Sequence, residues 1–200
     1  MSLNPQNVCA AIQAAREQAI VVCTMSAMNA FDAAGPFPAL TLSSVPLMGG
    51  AASIALGIAL ARPDRTVIVL DGDSSLLMEL GGLANIAGSH PRNLHHFVYA
   101  NRVQFNGNFC LDLPDRGRAD FAGLARAAGY ASAETWSDAA DLAKLPASLK
   151  REGPCFIQLD MPATPSRLSA ANPGPEMTDL RFTRMGDEAR AVRAAIAPAR

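Results

Sequence analysis

The stretch Val67-Ile68-Val69-Leu70-Asp71-Gly72-Asp73-Ser74-Ser75-Leu76-Leu77-Met78 constrains the fold more than any other. An unbroken apolar run with no polar alternation suits a strand buried on both faces. It runs directly into a tight polar turn that opens a helix, and ligands of open α/β sheets bind at that edge. Comparable apolar runs recur at 19–23, 39–42, 94–100 and 155–159, with helical patterns between them at 50–60, 76–87, 121–128 and 138–150. This alternation predicts an α/β fold, a single-domain three-layer α/β/α arrangement around a mainly parallel sheet.

Asn4-Pro5 is a helix start, a cap followed by proline at the first helical position, and Val8, Ile12 and Ala15 give the segment an apolar stripe. Residues 1–165 are read as one binding domain. Residues 166–200 are read as a tail, rich in Pro, Ser, Ala and Asn at first, with a terminal helix at 187–196 that packs on another subunit. Two hundred residues, half of them hydrophobic, bury one full core.

A net charge of −1 without long runs of one sign leaves no electrostatic footprint for nucleic acid or anionic lipid. Cys9, Cys23, Cys110 and Cys155 lie far apart in apolar surroundings and read as reduced, structural thiols. Met1-Ser2-Leu3-Asn4 lacks a basic region followed by an apolar one, so the expected location is the cytoplasm. Residues 33–61 carry no charge, but Pro36, Pro38 and Pro46 break the segment, and Gly49-Gly50-Ala51-Ala52-Ser53 suits a packed internal helix.

From Asp73 the chain is expected to run through a helix, the turn His90-Pro91-Arg92-Asn93, and a strand ending at Ala100-Asn101. A helix of about 14 residues travels roughly 21 Å. A strand of about seven residues returns about 23 Å. The legs cancel, so Asp73 and Asn101 finish at one edge of the sheet. The Asp73 carboxylate, the Asn101 amide oxygen and the Val103 carbonyl form an all-oxygen set that suits Mg²⁺, which completes its shell with phosphate and water. Free N–H groups of Ser74, Ser75 and Leu76 at the helix start would face the same phosphate, and Ser75 adds a hydroxyl.

Gly72-Asp73-Ser74-Ser75 followed by Asn101 about 28 residues after the aspartate resembles the Gly-Asp-Gly-Ser to Asn signature of thiamin-diphosphate enzymes. The segment from Met48 to Gly57 is similar to the one that precedes this signature in sulfopyruvate and phosphonopyruvate decarboxylases. The segments from Ala119 to Arg126 and from Gly153 to Ile157 also resemble that family, so the likeness covers most of residues 20–160. It implies a diphosphate-binding domain in which Asp73, Asn101 and the Val103 carbonyl hold Mg²⁺. Gly72, Ser74 and Ser75 would lie at the diphosphate. Met48, with Gly49 beside it, would be the apolar prop that keeps the cofactor bent. Thr24 and Ser26, at the end of the first strand, are candidates for further diphosphate contacts.

The sequence departs from that family at four places: Ser74 for a glycine, Pro46-Leu47 for Gly-Ser, Ala100 for an Asp or Asn, and Arg102-Val103-Gln104-Phe105 for a Gly-x-Tyr-like loop. The resemblance also implies a glutamate that activates the cofactor's pyrimidine, carried on a separate pyrimidine-binding domain that this chain is too short to include. Glu79 reads as structural, four residues into a helix leaving the metal edge. His95 and His96, adjacent on a strand, point to opposite faces and read as core residues. Gln104 and Asn106 carry no assignment.

The expected function is therefore the thiamin-diphosphate- and Mg²⁺-binding subunit of a 2-oxo acid decarboxylase, completed by a partner subunit and self-associating. Its catalytic residues remain unassigned within this chain. The alternatives are an acetolactate-synthase-type carboligase component, disfavoured by length, and a non-catalytic regulatory subunit, consistent with the four departures. An iron–sulfur oxidoreductase would show clustered cysteines. A dinucleotide domain would show G-x-G-x-x-G after the first strand, where Met25-Ser26-Ala27 stands instead.

Overall fold

The apolar runs pair side by side. A computed structural model describes residues 1–106, 109–115, 117–163 and 182–197. Ile20–Cys23 (β1), Thr41–Ser43 (β2), Val67–Gly72 (β3) and Leu94–Ala100 (β4) lie in one parallel sheet with Ser132–Trp136 (β7) and Cys155–Asp160 (β8). The order is β2-β1-β3-β4-β8-β7. Val103–Asn106 (β5) and Phe109–Asp112 (β6) form a separate antiparallel hairpin. The helices are Pro5–Ala15 (α1), Met25–Ala34 (α2), Ala51–Ala61 (α3), Asp73–Met78 (α4), Gly82–Ser89 (α5), Phe121–Ala128 (α6), Leu145–Ser148 (α7) and Met185–Ile196 (α8).

Because side chains alternate along a strand, the sheet feeds two cores. On one face Val21, Ile68, Leu70, Phe97 and Leu159 pack against Val8 and Ile12 of α1 and Met28 and Phe31 of α2. On the other, Val22, Val67, Val69, Val98 and Phe156 meet the alanine face of α3, Leu83 and Ile86 of α5, and Phe121 and Ala125 of α6. This is the expected three-layer α/β/α arrangement. Cys9, Cys23 and Cys155 are buried and free, while the Cys110 and Asn106 side chains fall outside the described residues.

Several expectations are corrected in detail. The helix expected over 76–87 begins at Asp73 and is two helices: the backbone leaves the helical region at Glu79 (φ −131°, ψ 44°), and a new helix starts at Gly82. The pattern at 138–150 forms a 3₁₀ turn, Ala139–Lys144, under an Asp138–Asp141 capping box, and then the one-turn α7. Pro146 stands in its first turn, where the missing N–H does no harm. Helix α2 and strand β7 carried too weak a pattern to be predicted. β7 is a sheet edge with mostly half-buried residues rather than an apolar run. The terminal helix α8 packs against β2 of its own sheet. The Asn4 capping box on α1 is present, joining Asn4 and Asn7 reciprocally. The uncharged segment 33–61 divides into β2 and α3, and among the described residues no helix is long and apolar enough to cross a membrane.

This topology decides where a ligand can sit. The chain leaves β1 toward β2 on one side, then crosses back over β1 through α3 to lay β3 on its other side. The connections after β1 and β3 therefore diverge, and a crevice opens between the carboxyl ends of these two strands.

Candidate functional site

Two helices begin in that crevice. Thr24 caps α2 with its backbone only; its hydroxyl donates to the Leu70 carbonyl at 3.3 Å, so the first N–H groups of α2 have no side-chain cap. Gly72 occupies the cap position of α4 in an extended conformation and brings no side chain to the turn. The cavity between them, about 260 Å³, is lined by Thr24, Met25, Ser26, Met48, Gly72, Asp73, Ser74, Ser75, Asn101 and Val103 among others. Two sets of backbone donors and the positive ends of two helices thus face one space, an arrangement that favours an anion.

Nearly every residue singled out from sequence lines this cavity, and the two strand tips are adjacent as expected. β3 and β4 pair in register from Val67↔Leu94 to Gly72↔Tyr99, so Asp73 and Asn101 leave neighbouring strands at the same edge. The Asp73 carboxylate is buried; Oδ1 accepts the N–H of Ser74 at 2.8 Å and Oδ2 that of Arg102 at 2.6 Å. Burial pushes its pKa up to about 6 despite these hydrogen bonds. Among the described residues no lysine or arginine side chain pairs with it. The described residues thus place no cationic side chain beside this buried carboxylate.

The donor set says which cation fits. Among the described residues no three His, Cys, Asp or Glu side chains converge. One carboxylate with an amide and a carbonyl oxygen beside an anion pocket suits Mg²⁺, which is usually held by one or two carboxylates plus phosphate oxygens.

Ser75 connects the two halves of the site. Its Oγ accepts the N–H of Gly49 at 3.0 Å and retains its own proton for a ligand. Gly49 sits at φ +83°, and a Cβ there would lie 2.6 Å from Cγ of Glu79. Glycine is required on both counts. Gly50 is similarly hemmed in by the Leu47 side chain. Met48, between Leu47 and Gly49, is 43% exposed and lines the cavity. Ser74 lies in the first turn of α4, a conformation any residue adopts, so its replacement of a family glycine imposes no backbone strain.

Glu79 is the C-cap of α4, a shorter helix than expected, and its exposed side chain covers Gly49. His95 and His96 do point to opposite faces and are both buried. Burial, with Arg151 nearby, lowers the His95 pKa to about 4 and keeps that ring neutral.

Sequence reasoning missed the polar support beneath the turn. Asp71 is buried; its Oδ1 accepts the N–H of Gly72 at 2.8 Å, and its Oδ2 lies 3.5 Å from Nε2 of His96. Nδ1 of His96 is 3.2 Å from the Tyr130 hydroxyl. The only hint was a second aspartate in a run otherwise apolar. Pro5, Gln6, Asn29, Ser44 and Val45 also line the cavity. Their part depends on how α1 and α2 pack, which local patterns do not reveal.

Comparison with known proteins follows this geometry. Residues 19–159 match the family described as Thiamine pyrophosphate enzyme, C-terminal TPP binding domain. Phosphonopyruvate decarboxylase of Streptomyces hygroscopicus is 38% identical over 127 residues, which is 63% of this chain but 30% of that relative. Sulfopyruvate decarboxylase subunit beta of Methanothermobacter thermautotrophicus is 53% identical over 55 residues, 28% of this chain and 29% of that subunit. The benzoylformate decarboxylase structure from Polynucleobacter necessarius superposes with a TM-score of 0.67 at 18% identity, covering 83% of this chain and 34% of that one, a likeness of fold. The matched segments span about a third or less of each of these proteins. With more than half its residues matched, the chain belongs to the thiamine pyrophosphate enzyme family and carries that family's C-terminal TPP-binding domain.

Proposed function

We propose that this chain holds the diphosphate of thiamin diphosphate, through Mg²⁺, as one subunit of a 2-oxo acid decarboxylase completed by a separate pyrimidine-binding subunit. The observation that carries the reading is the convergence on a single cavity of the starts of α2 and α4 with a buried carboxylate, Asp73, that has backbone N–H partners but no cationic side chain beside it among the described residues. Asp73, Asn101 and the Val103 carbonyl would hold the ion; Thr24, Gly72, Ser74 and Ser75 would meet the diphosphate; Met48 and Gly49 would support the body of the cofactor. When bound, thiamin diphosphate supplies a carbon that adds to the substrate carbonyl and accepts electrons as CO₂ leaves.

The chain's own residues do the rest. Asp73 in its ionised form offsets the cation's charge. The α2 and α4 N–H groups neutralise phosphate charge, and the buried Asp71–His96–Tyr130 contacts keep the Gly72 turn in place beneath them.

Support for a partner comes from the rim. Leu47, Met48, Leu77, Met78 and Leu80 are all at least a third exposed and lie on the two segments joined by the Gly49–Ser75 hydrogen bond. Large apolar side chains exposed on two segments linked at the cavity, one of them Met48 of its lining, suit a surface that another protein covers. Such a subunit would bring the glutamate that activates the cofactor's pyrimidine, a role that no described residue lining the cavity is proposed to fill. The named relatives act on phosphonopyruvate and sulfopyruvate, so a small acidic 2-oxo acid is the proposed substrate.

The test is calorimetric titration of thiamin diphosphate with Mg²⁺ into the chain alone and then with the product of the adjacent gene, followed by CO₂ release from both 2-oxo acids. Binding that needs Mg²⁺, with turnover only in the mixture, is expected. Metal-independent binding, or none in either sample, would overturn the reading.

A further inference from the structure

Helix α8 and its N-cap are tied by two side chains, Glu188 and Arg184, to the segments that lead into the cavity walls. Strand β2 is three residues long and lies at the sheet edge, with β1 as its neighbour. An edge strand this short presents unpaired N–H groups and is held weakly. Glu188 of α8 covers that edge: Oε2 accepts both the backbone N–H of Ser43, at 2.7 Å, and its hydroxyl, at 2.6 Å. Ser43 is fully buried. Arg184, one turn earlier, pairs with Oε1 of Glu188 at 2.8 Å and with Asp32 of α2 at 2.9 Å, and lies 4.1 Å above the Phe37 ring.

The contacts continue from Ser43 into the site. Ser44, the next residue, donates its N–H to the Cys23 carbonyl at 2.7 Å and its hydroxyl to the Leu47 carbonyl at 3.0 Å. Two residues beyond Leu47, Gly49 donates to Ser75. Ser44, Val45, Met48 and Ser75 all line the cavity. Asp32 belongs to the helix whose first turn forms the opposite wall. The tail helix thus grips both walls, with Glu188 at the centre.

We propose that Glu188 is a positioning residue: by fixing Ser43 and the loop that follows, it couples the docking of α8 to occupancy of the cavity. This rests on the cofactor reading above. If a docked α8 favours the wall conformation that binds ligand, then by linkage the ligand must favour a docked α8 to the same degree. A helix whose local opening is independent of the cavity shows no such reciprocity beyond the slowing that ligand binding gives to global unfolding everywhere in the chain.

The experiment uses the full chain with any subunit that copurifies, and thiamin diphosphate with Mg²⁺ as the probe. Hydrogen exchange of the amides in 185–196 is measured with and without the probe, and probe affinity is measured by calorimetry for the unaltered chain, Glu188→Gln and Glu188→Ala. The expected result is exchange in α8 slowed about fivefold or more on binding, and affinity weakened by a similar factor in Glu188→Ala. Glu188→Gln, which keeps one acceptor for Ser43, should fall between. Exchange in α8 indifferent to a probe that the unaltered chain binds overturns the coupling and leaves the cofactor reading intact. It does so even if Glu188→Ala fails to fold. Failure of the unaltered chain to bind the probe overturns both.

Discussion

The backbone N–H of Arg102 donates to Oδ2 of Asp73 at 2.6 Å from a left-handed conformation, φ +66°. That conformation costs a residue with a Cβ roughly 1 to 2 kcal/mol, and it aims the N–H at the carboxylate proposed to hold the metal. The Arg102 side chain runs the other way, to Asp160 at 2.7 Å, in a half-exposed pair worth about 1 kcal/mol or less. Arg102→Gly exchanges one small effect for the other. Its stability should stay within about 1 kcal/mol of the parent and its Mg²⁺-dependent cofactor affinity should be unchanged. Arg102→Pro removes the N–H and cannot adopt a positive φ, so it should lose cofactor binding. Urea denaturation and calorimetry on both variants check this; equal affinities for the two would show that the N–H is irrelevant to the site.

A second prediction concerns Gly49, Ser75 and Glu79. Ser75→Ala leaves the buried Gly49 N–H without an acceptor, which should cost about 1 to 3 kcal/mol. Gly49→Ala faces two separate penalties: a positive φ, and contact with the Glu79 side chain. Glu79→Ala alone should be near neutral, because its side chain is exposed. Combined with Gly49→Ala it should recover the steric part of the loss and leave the backbone part. A double-mutant cycle by thermal denaturation measures the coupling. Additive effects would mean that the two side chains do not meet.

How much of this was legible in the sequence differs by residue. Asp73, Asn101 and Val103 could be placed at one edge because a helix and a strand of ordinary length return the chain to its starting level, and β3 and β4 are indeed neighbours. That inference survived an error in its first leg. The intervening helix is broken at Glu79, and the legs still cancel because both helices lie between the same two strands. Helix α2 was missed although Ala27, Met28, Ala30 and Phe31 form its buried stripe: further alanines and Met25 on the other faces blur the period, and its start, Thr24, uses its hydroxyl on Leu70 rather than as a cap. The Asp71–His96–Tyr130 contacts join residues far apart in sequence, and local patterning holds no record of such pairings. Glu188 was hidden for the same reason. Its partner Ser43 lies 145 residues away.

A third prediction follows from the burial of Asp73. The shift of its pKa from 3.8 to about 6 means that the ionised carboxylate costs the cofactor-free chain on the order of 3 kcal/mol at neutral pH. Asp73→Asn removes that charge but also one of two acceptor oxygens, a loss of about 1 to 3 kcal/mol. The two effects offset, so its melting temperature should lie within about 4 °C of the parent. Mg²⁺-dependent binding of thiamin diphosphate should disappear. Circular dichroism and calorimetry on the same sample separate fold from function, and undiminished Mg²⁺-dependent binding would remove Asp73 from the proposed ligand set.

The same shift sets a pH dependence with a definite sign. Since the folded pKa lies above the unfolded one, the stability that Asp73 contributes to the cofactor-free chain is fully present below about 4 and is lost as pH rises through about 6. Metal binding has the opposite sense. The ion requires the carboxylate without its proton, so below about 6 each binding event must release one. Affinity for Mg²⁺ with thiamin diphosphate should therefore be flat above about pH 7 and fall, at the limit, about tenfold for each pH unit below about 6. Titrations in buffers of different ionisation enthalpy count the protons released: close to one at about pH 5 and close to none at about pH 7.5. Once the ion is bound, the carboxylate is held ionised by a charge beside it, and thermal stability of the loaded chain should no longer improve on acidification. Equal proton release at both pH values would mean that the ion is not bound by Asp73.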